Sequence, residues 1–108
     1  MGKQFLTVAS AAILNAVRNG YSFGFDIVDV TGMPGGTVYP ALRRLEDAGY
    51  VTSRWEKERV AHAEARPRRR YYDITAAGRE VLAEAVKRYR MLTPSAAPRV
   101  REPRTSRT

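Results

Sequence analysis

Apolar residues recur at helical spacing in two segments near the start of the chain. The first segment predicts a helix over residues 4–19, with Gly20 in the position of a left-handed cap. Its apolar stripe is wider than a surface helix needs to cover a single core. The second segment predicts a helix over 22–30, with Ser22 as a candidate N-cap, and it ends at the turn-forming residues 31–36.

A third helix is predicted to begin with Thr37 as its N-cap. Pro40 sets this start, because proline is tolerated in the first turn of a helix, where its missing N–H has no partner to lose. Gly49 is predicted to close the helix. The apolar residues form one face at spacings of three and four residues: Val38, Ala41, Leu42 and Leu45.

The period of the pattern changes after the third helix. Residues 50–56 alternate and are rich in β-branched and aromatic types, which predicts a strand, and residues 69–74 predict a second strand. The segment between them, 58–68, is predicted to be a charged loop. Thr75 is predicted to cap a last helix over about 76–91, which carries a single apolar stripe.

The order of these elements predicts the fold. Three short helices, a two-stranded hairpin and a further helix, in the order α-α-α-β-β-α, indicate a winged helix-turn-helix, which is an α+β fold that is mainly α with a small β-hairpin. We expect a winged helix-turn-helix domain over 1–75, a C-terminal helix over 76–92, and a basic tail over 93–108 whose proline and arginine content is typical of disorder.

The composition narrows the classes of function. The 108 residues include no cysteine and one histidine, His62, so the sequence predicts no metal site, no cofactor and no cysteine nucleophile. No apolar run is long enough to span a membrane and no signal peptide is recognisable, so a cytoplasmic location is expected. The acidic residues are scattered, and no arrangement of serine, histidine and aspartate can be proposed, so we expect no enzyme activity.

The charge of the chain gives the first indication of a partner. A net charge of +8 favours a polyanion, nucleic acid before an acidic membrane surface. In a helix-turn-helix the third helix enters the major groove, where Arg43 or Arg44 could reach a guanine edge with two hydrogen bonds. A solvated helix face with ordinary charges explains the pattern equally well. The candidate DNA contacts on this helix are Thr37, Tyr39, Pro40, Arg43 and Arg44.

The loop between the predicted strands is the second basic feature. Four arginines lie within the five residues 66–70. A protruding basic hairpin can follow a phosphate backbone or place an arginine in the minor groove, and we favour this interpretation over a charged, disordered loop. The single tryptophan, Trp55, is predicted to lie in the core beside Val51. The candidate DNA contacts on the hairpin are Lys57, Arg59, Arg66, Arg68, Arg69 and Arg70.

A resemblance to a known family rests on five segments of the chain. They are GTVYPALRRLE (36–46), GYV (49–51), SRWE (53–56), RRYYDIT (69–75) followed by Gly78-Arg79, and FGFDI (23–27), where the family has His-Gly-Tyr-Glu-Ile. Over about residues 10–90 the chain resembles the PadR family of transcriptional regulators. The short chain is similar to the subgroup that has a single C-terminal helix.

The resemblance implies a homodimer that is joined through the helix over 76–92 and that acts as a repressor on an inverted-repeat operator in double-stranded DNA. A dimer would explain the wide apolar stripe of the first helix, since one side can pack on the domain's own core and the other on the partner. The alternative is that the extra apolar surface consists of alanines without a partner. The predicted dimer contacts are Leu6, Ile13, Val81, Leu82, Ala85, Val86 and Tyr89.

Two departures from the family's pattern bear on the partners. The usual Gly-Pro of the wing stands here as Arg66-Pro67, in a loop a few residues longer. Small members that bind flat aromatic drugs place a tryptophan on the last helix, where this chain offers Tyr89, so no particular small-molecule effector is expected. Two alternatives to a DNA-binding regulator stay open: a protein-interaction or assembly module, and a binder of RNA or single strands, for which Tyr71 is the one obvious stacking residue.

Overall fold

The computed structural model describes residues 6–89, which form five helices and one two-stranded antiparallel sheet. The predicted tail (93–108), and the ends of the predicted first and last helices before residue 6 and after residue 89, lie outside the described residues. The mainly helical fold with a small β-hairpin is confirmed. The elements are α1 (Val8–Arg18), α2 (Gly24–Thr31), α3 (Gly35–Asp47), β1 (Val51–Trp55), α4 (Glu58–Ala63), β2 (Arg70–Ile74) and α5 (Ala76–Arg88).

The first helix is shorter than the apolar pattern indicates. α1 begins at Val8 and not at residue 4, because the hydroxyl of Thr7 caps it by accepting a hydrogen bond from the N–H of Ser10 (3.0 Å). Gly20 follows the helix with a φ of 100°, so its predicted left-handed conformation is confirmed.

The start of α2 lies two residues after the predicted one. Phe23 occupies the N-cap position and the helix begins at Gly24, so the assignment of Ser22 as the cap is wrong. The backbone of Ser22 has a different role, since its carbonyl accepts a hydrogen bond from the N–H of Tyr72 (2.7 Å). This bond attaches the chain before α2 to the hairpin.

The start of α3 also differs from the prediction. Pro34 is the N-cap residue, so Thr37 lies inside the first turn and its N–H donates to the carbonyl of Pro34 (2.9 Å). Pro40 consequently lies within the helix and not in its first turn. The bond that it lacks would have gone to the carbonyl of Gly36, an exposed residue at which water can replace the missing donor.

The core lies where α1, α2, α3, the base of the hairpin and α5 meet. The inner face of α3 is buried as predicted. Burial of each large apolar side chain contributes about 1.5–3 kcal/mol before the cost of ordering it. The largest fully buried side chains are Ile13, Leu14, Ile27, Val38, Leu42, Val51 and Leu82.

The hairpin extends beyond the edge of this core. Val51 pairs with Ile74 at its base, and Trp55 pairs with Arg70 at its far end. Val51 is 1% exposed, whereas Trp55, four residues further along the same strand face, is 54% exposed. The prediction that Trp55 lies in the core is therefore wrong, because the strand has passed the core by that residue.

The connection between the two strands contains a short helix. The segment 58–68 is predicted to be a loop, but α4 occupies its first half, with Ala61 buried. Ala65 then adopts a φ of 54°, and the chain returns to β2. We call residues 51–74 the wing.

Thr75 joins the wing to the last helix. As predicted, it caps α5: its hydroxyl accepts a hydrogen bond from the N–H of Gly78 (3.0 Å), and the same hydroxyl donates to the carbonyl of Gly49 (2.7 Å). The N–H of Thr75 also donates to the carbonyl of Tyr50 (3.0 Å). α5 passes so close to this turn that a Cβ atom on Gly78 would contact the carbonyl oxygen of Tyr50.

We predict that Gly78→Ala lowers the free energy of unfolding by about 1–3 kcal/mol, because the added methyl group forces α5 away from Tyr50. Gly36→Ala is the matched control, since a Cβ atom there meets nothing within 4 Å. Alanine at that helical position should stabilise by about 0.5–1 kcal/mol. Urea unfolding followed by circular dichroism measures both, and a Gly78→Ala midpoint equal to that of the wild type would contradict the close approach.

Candidate nucleic-acid interface

The outward face of α3 carries all five side chains that are predicted to bind DNA from this helix. Tyr39 is 47% exposed, and the other four are exposed as well. No acidic residue lies in the first turn of α3, so nothing there opposes the partial positive charge of the helix N-terminus. The five residues are Thr37, Tyr39, Pro40, Arg43 and Arg44.

The ring of Tyr39 packs against two glycines. A Cβ atom on Gly24 would collide with the ring and hydroxyl of Tyr39, and one on Gly35 would lie 3.2 Å from the ring. The first turns of α2 and α3 can therefore approach each other with the tyrosine ring between them only because these positions lack side chains. The orientation of Tyr39 on the outward face follows from this contact.

A single carboxylate organises the interior of the wing. Glu56 follows β1, and its side chain is 7% exposed. Its two oxygens accept hydrogen bonds from Arg66 Nη1 (2.7 Å) and Arg66 Nη2 (2.8 Å) in a two-pronged ion pair. The backbone N–H of Arg69 (3.1 Å) and the hydroxyl of Tyr71 (3.2 Å) donate to the same carboxylate.

These donors change the acidity of the ion pair. The hydrogen bond from Arg66 is the main cause that lowers the pKa of Glu56 from 4.5 to about 2; the backbone N–H of Arg69 and the hydroxyl of Tyr71 act in the same direction, against the opposing effect of burial. The same ion pair raises the pKa of Arg66 above its ordinary value. Both groups are therefore charged throughout the physiological range.

Arg66 is held inside the wing. Its side chain is 19% exposed, and besides the pair with Glu56 its Nε donates to Glu64 (3.0 Å). An arginine bound in this way would have to leave two carboxylates before it could bind a phosphate. We therefore remove Arg66 from the candidate DNA contacts. Its guanidinium has a structural role in the ion pair with Glu56.

Each of the other three arginines of the run lies against an aromatic ring. The guanidinium of Arg68 lies 5.4 Å from the ring centroid of Trp55, and that of Arg69 lies 4.1 Å from the ring centroid of Phe23. Arg70 also lies 5.4 Å from the Trp55 ring, and its Nη2 donates to Glu46 of α3 (3.3 Å). The run thus spreads over the surface between α2, α3 and the wing.

The remaining basic candidates of the wing lie at α4. Lys57 is the N-cap residue of this helix, Arg59 lies in its first turn, and both are exposed. The structure brings Arg68 and Arg70 together at Trp55. Lys57 and Arg59 do not line the cavity that Arg68, Arg70 and Trp55 border.

The predicted dimer contacts divide into two groups. Ile13, Leu82 and Ala85 are at most 4% exposed within the single chain, so no surface remains on them for a partner, and their assignment is corrected to the core. The hydroxyl of Tyr89 donates to the carbonyl of Leu6 (2.7 Å) and holds the end of α5 against the chain before α1. The four that keep some exposed surface are Leu6, Val81, Val86 and Tyr89.

Sequence reasoning missed the roles of four residues at this site, two of them buried and two of them exposed aromatic residues. Gly24 and Glu56 appear in the sequence only as members of the family-like segments FGFDI and SRWE, without a sign of what they contact. Phe25 carries no sequence signal that separates it from a core residue, yet it is 78% exposed. Trp55 is assigned to the wrong environment for the reason given above.

Within residues 6–89, no group of three or more histidine, cysteine, aspartate or glutamate side chains could hold a metal ion. In the same part of the chain, no helix has the length and apolar character that crossing a membrane requires.

One family model matches the chain, and several similar structures carry the name of the same family. The model of the transcriptional regulator PadR-like family matches residues 13–84. A PadR family transcription regulator from Clostridium difficile, whose likeness shows the fold, is 22% identical with a TM-score of 0.67, and the match covers 80% of this chain and 91% of that one. A PadR family regulator from Eggerthella lenta is 28% identical, with a TM-score of 0.60 over 77% of this chain and 72% of that chain.

One similar structure contains DNA. Bacillus subtilis PadR, solved in complex with operator DNA, is 25% identical with a TM-score of 0.64, over 77% of this chain and 50% of that chain. No curated protein sequence matches the chain.

We predict that the contact between Gly24 and Tyr39 appears as non-additivity in unfolding experiments. Gly24→Ala should lower the free energy of unfolding by about 1–3 kcal/mol, because the methyl group collides with the tyrosine ring. In a Tyr39→Ala background the same substitution meets no ring, and the coupling between the two should be at least about 0.5 kcal/mol. Additive effects in a urea double-mutant cycle would show that the Tyr39 ring does not pack against Gly24.

We also predict that Glu56 gives the protein an acid-sensitive stability. Because its folded pKa of about 2 is below its ordinary 4.5, its contribution is complete above about pH 4.5 and is lost as the pH falls towards 2. Between these limits the stability of Glu56→Gln should fall less steeply with pH than that of the wild type. Glu58→Gln, which replaces an exposed glutamate two residues away, should follow the wild-type slope. Identical slopes for all three proteins in urea unfolding would refute the ion pair's role.

Proposed function

Since the chain belongs to the transcriptional regulator PadR-like family, a family of transcription regulators and not of enzymes, we propose that it is a repressor that binds an inverted-repeat operator in double-stranded DNA as a homodimer. The proposal places α3 in the major groove and the wing along the neighbouring backbone. The observation that carries the proposal is that side chains of the outward face of α3 and arginines of the wing border the same cavities. Tyr39 and Arg70 line both of them, with Arg43 in one and Arg68 in the other.

Charge and helix geometry support the proposed role of α3. The net charge of +8 supplies the non-specific attraction for phosphates. Arg43 and Arg44 are exposed and belong to the outward face, where a guanidinium can form two hydrogen bonds with a guanine edge. Thr37 and Tyr39, near the helix N-terminus, are suited to phosphate contacts. The operator complex of Bacillus subtilis PadR supports DNA as the partner.

The wing supports a second set of contacts, to phosphates or to the minor groove. Lys57, Arg59 and Arg68 are exposed, while Arg69 and Arg70 are half-buried against aromatic rings. The Glu56–Arg66 ion pair fixes the backbone that carries them. Fixed cations lose less conformational entropy on binding than cations on a free loop, which favours this arrangement for a protein that must recognise one register of a duplex.

The surface of α1 and α5 is the proposed dimer interface. Leu6, Val81, Val86 and Tyr89 are partly exposed apolar residues on or beside these two helices, and Val8 is 39% exposed on α1. A twofold axis through this surface would present two copies of α3 to major grooves about 34–36 Å apart, which is one turn of DNA. An inverted repeat has the matching symmetry.

Selection of binding sites from a random duplex library tests the proposal as a whole. The expected result is an enriched inverted repeat with half-sites about one turn apart, bound by a species with the mass of a dimer in light scattering. Random duplex and RNA of equal length are the competitors. Enrichment of no sequence, or equal binding of RNA, would reject a sequence-specific DNA regulator.

We predict that the two arginines of α3 recognise base edges, whereas the arginines of the wing bind phosphates or the minor groove. If Arg43 or Arg44 contacts a base, its alanine variant should lose about 1–3 kcal/mol of binding free energy on the selected site and clearly less on random duplex. Arg79→Ala, an exposed arginine of α5, is the control for the loss of one charge. Titration of labelled duplexes measures both losses, and equal losses on the two duplexes would make these arginines phosphate contacts.

A further inference from the structure

The exposed aromatic side chains of the described chain converge on one place. Among residues 6–89, the large aromatic side chains with high exposure are Phe25 (78%), Tyr39 (47%) and Trp55 (54%). All three line a cavity of about 400 Å³ between the start of α2, the first turns of α3 and the wing. Apolar side chains that are gathered at one exposed site commonly mark an interaction surface. We call this site the aromatic cavity.

The charges around the aromatic cavity are of one sign. Arginines 66 and 68–70 contribute to its lining, and no aspartate or glutamate of the described residues does. The adjoining cavity of about 610 Å³, further along α3, has charges of both signs in its lining, with Glu46 and Asp47 beside Arg43. Tyr39, Trp55 and Arg70 are common to both. The two cavities therefore differ in charge: one has a lining of mixed sign and the other has arginines as its only charged lining residues, so an anion is attracted to the second.

Trp55 holds two of these cations in place. Arg68 and Arg70 both lie 5.4 Å from its ring centroid. The Nε of Arg68 donates to the carbonyl of Glu56 (3.0 Å), and the Nε of Arg70 donates to the hydroxyl of Ser53 (3.0 Å). Each guanidinium is thus anchored through Nε and by the ring, and the Nη2 of Arg70 also donates to Glu46 (3.3 Å). A guanidinium has five N–H donors in all. For Arg68, the described residues provide no acceptor at the terminal nitrogens.

We propose that the aromatic cavity binds the sugar–phosphate backbone of one DNA strand, with Arg68 and Arg70 on the phosphates and the rings of Phe25, Tyr39 and Trp55 against the deoxyribose. This inference rests on the proposed function and adds to it an apolar contribution to DNA binding at the aromatic cavity. A phosphate alone would need only the cations. The three exposed rings require a partner that also has apolar surface, and tryptophan, tyrosine and arginine are the residues that carry most of the energy at binding interfaces.

The proposal separates the affinity into two measurable parts. An arginine–phosphate contact releases counterions, so its removal lowers the slope of log K against log salt concentration by about 0.9. A ring packed on deoxyribose releases none. Phe25→Ala should therefore weaken binding by roughly fivefold or more at every salt concentration and leave the slope unchanged. Arg68→Ala should weaken binding and also reduce the slope.

Matched controls are available on the same chain. Val60 is 39% exposed on α4 and does not line the cavity, so Val60→Ala should leave both affinity and slope as in the wild type. Arg79→Ala removes one charge outside the cavity and should change the slope much less than Arg68→Ala. The assay is fluorescence anisotropy of a labelled duplex at several salt concentrations. A Phe25→Ala affinity equal to that of Val60→Ala would overturn the proposal.

Trp55 provides a direct readout, because it is the only tryptophan in the chain. Duplex DNA should protect its fluorescence from quenching by acrylamide, a neutral probe that is not repelled by the DNA. If the duplex binds by anisotropy while acrylamide still reaches Trp55 as freely as in the free protein, this inference fails and the proposed function stands. If no duplex binds, both fail. Protection by benzoate and none by duplex would assign the cavity to a small aromatic anion and overturn the proposal.

Discussion

The carboxylate of Glu56 is the constraint on which the basic surface depends. It accepts hydrogen bonds from the guanidinium of Arg66, from the backbone N–H of Arg69 and from the hydroxyl of Tyr71, and so it connects the end of β1 to the chain that leads into β2. Charge-assisted bonds of this kind are stronger than neutral ones, and removal of the shared acceptor would leave several donors without a partner. One of the four clustered arginines is thereby committed to structure, and the three that follow are fixed in position.

Two glycines allow close packing between elements of the fold. Gly78 lets α5 pack directly on the turn at Tyr50, where Thr75 bonds to both neighbouring segments. Gly24 lets the ring of Tyr39 lie between the first turns of α2 and α3. The hydroxyl of Ser53 and the Nη2 of Arg70 donate to Glu46 and attach the wing directly to α3, so the exposed face of α3 and the wing form one continuous surface. On this surface base-reading arginines, phosphate-binding arginines and exposed aromatic rings can contact a duplex together.

The parts of the structure that sequence predicts well are those with a local period. The inner face of α3 follows from the spacing of Val38 to Leu45, and the hairpin follows from alternation, because each pattern is set by neighbours within one element. Alternation predicts which face of the strand Trp55 lies on, but not the residue at which the strand leaves the core. The exposure of Trp55 could therefore not be predicted from the sequence. Glu56 and Arg66 are ten residues apart across an irregular segment that has no period, and only the folded chain brings them together.

A variant that breaks the Glu56–Arg66 pair and keeps the charge of the chain tests the central claim most directly. Glu56→Gln combined with Arg66→Gln removes one charge of each sign, so the net charge stays at +8. If a fixed wing is what makes the surface bind DNA, this double variant, checked by circular dichroism to be folded, should bind the selected operator about tenfold more weakly than the wild type, which is about 1.4 kcal/mol. An unchanged affinity would show that net charge alone accounts for binding, and it would contradict the account.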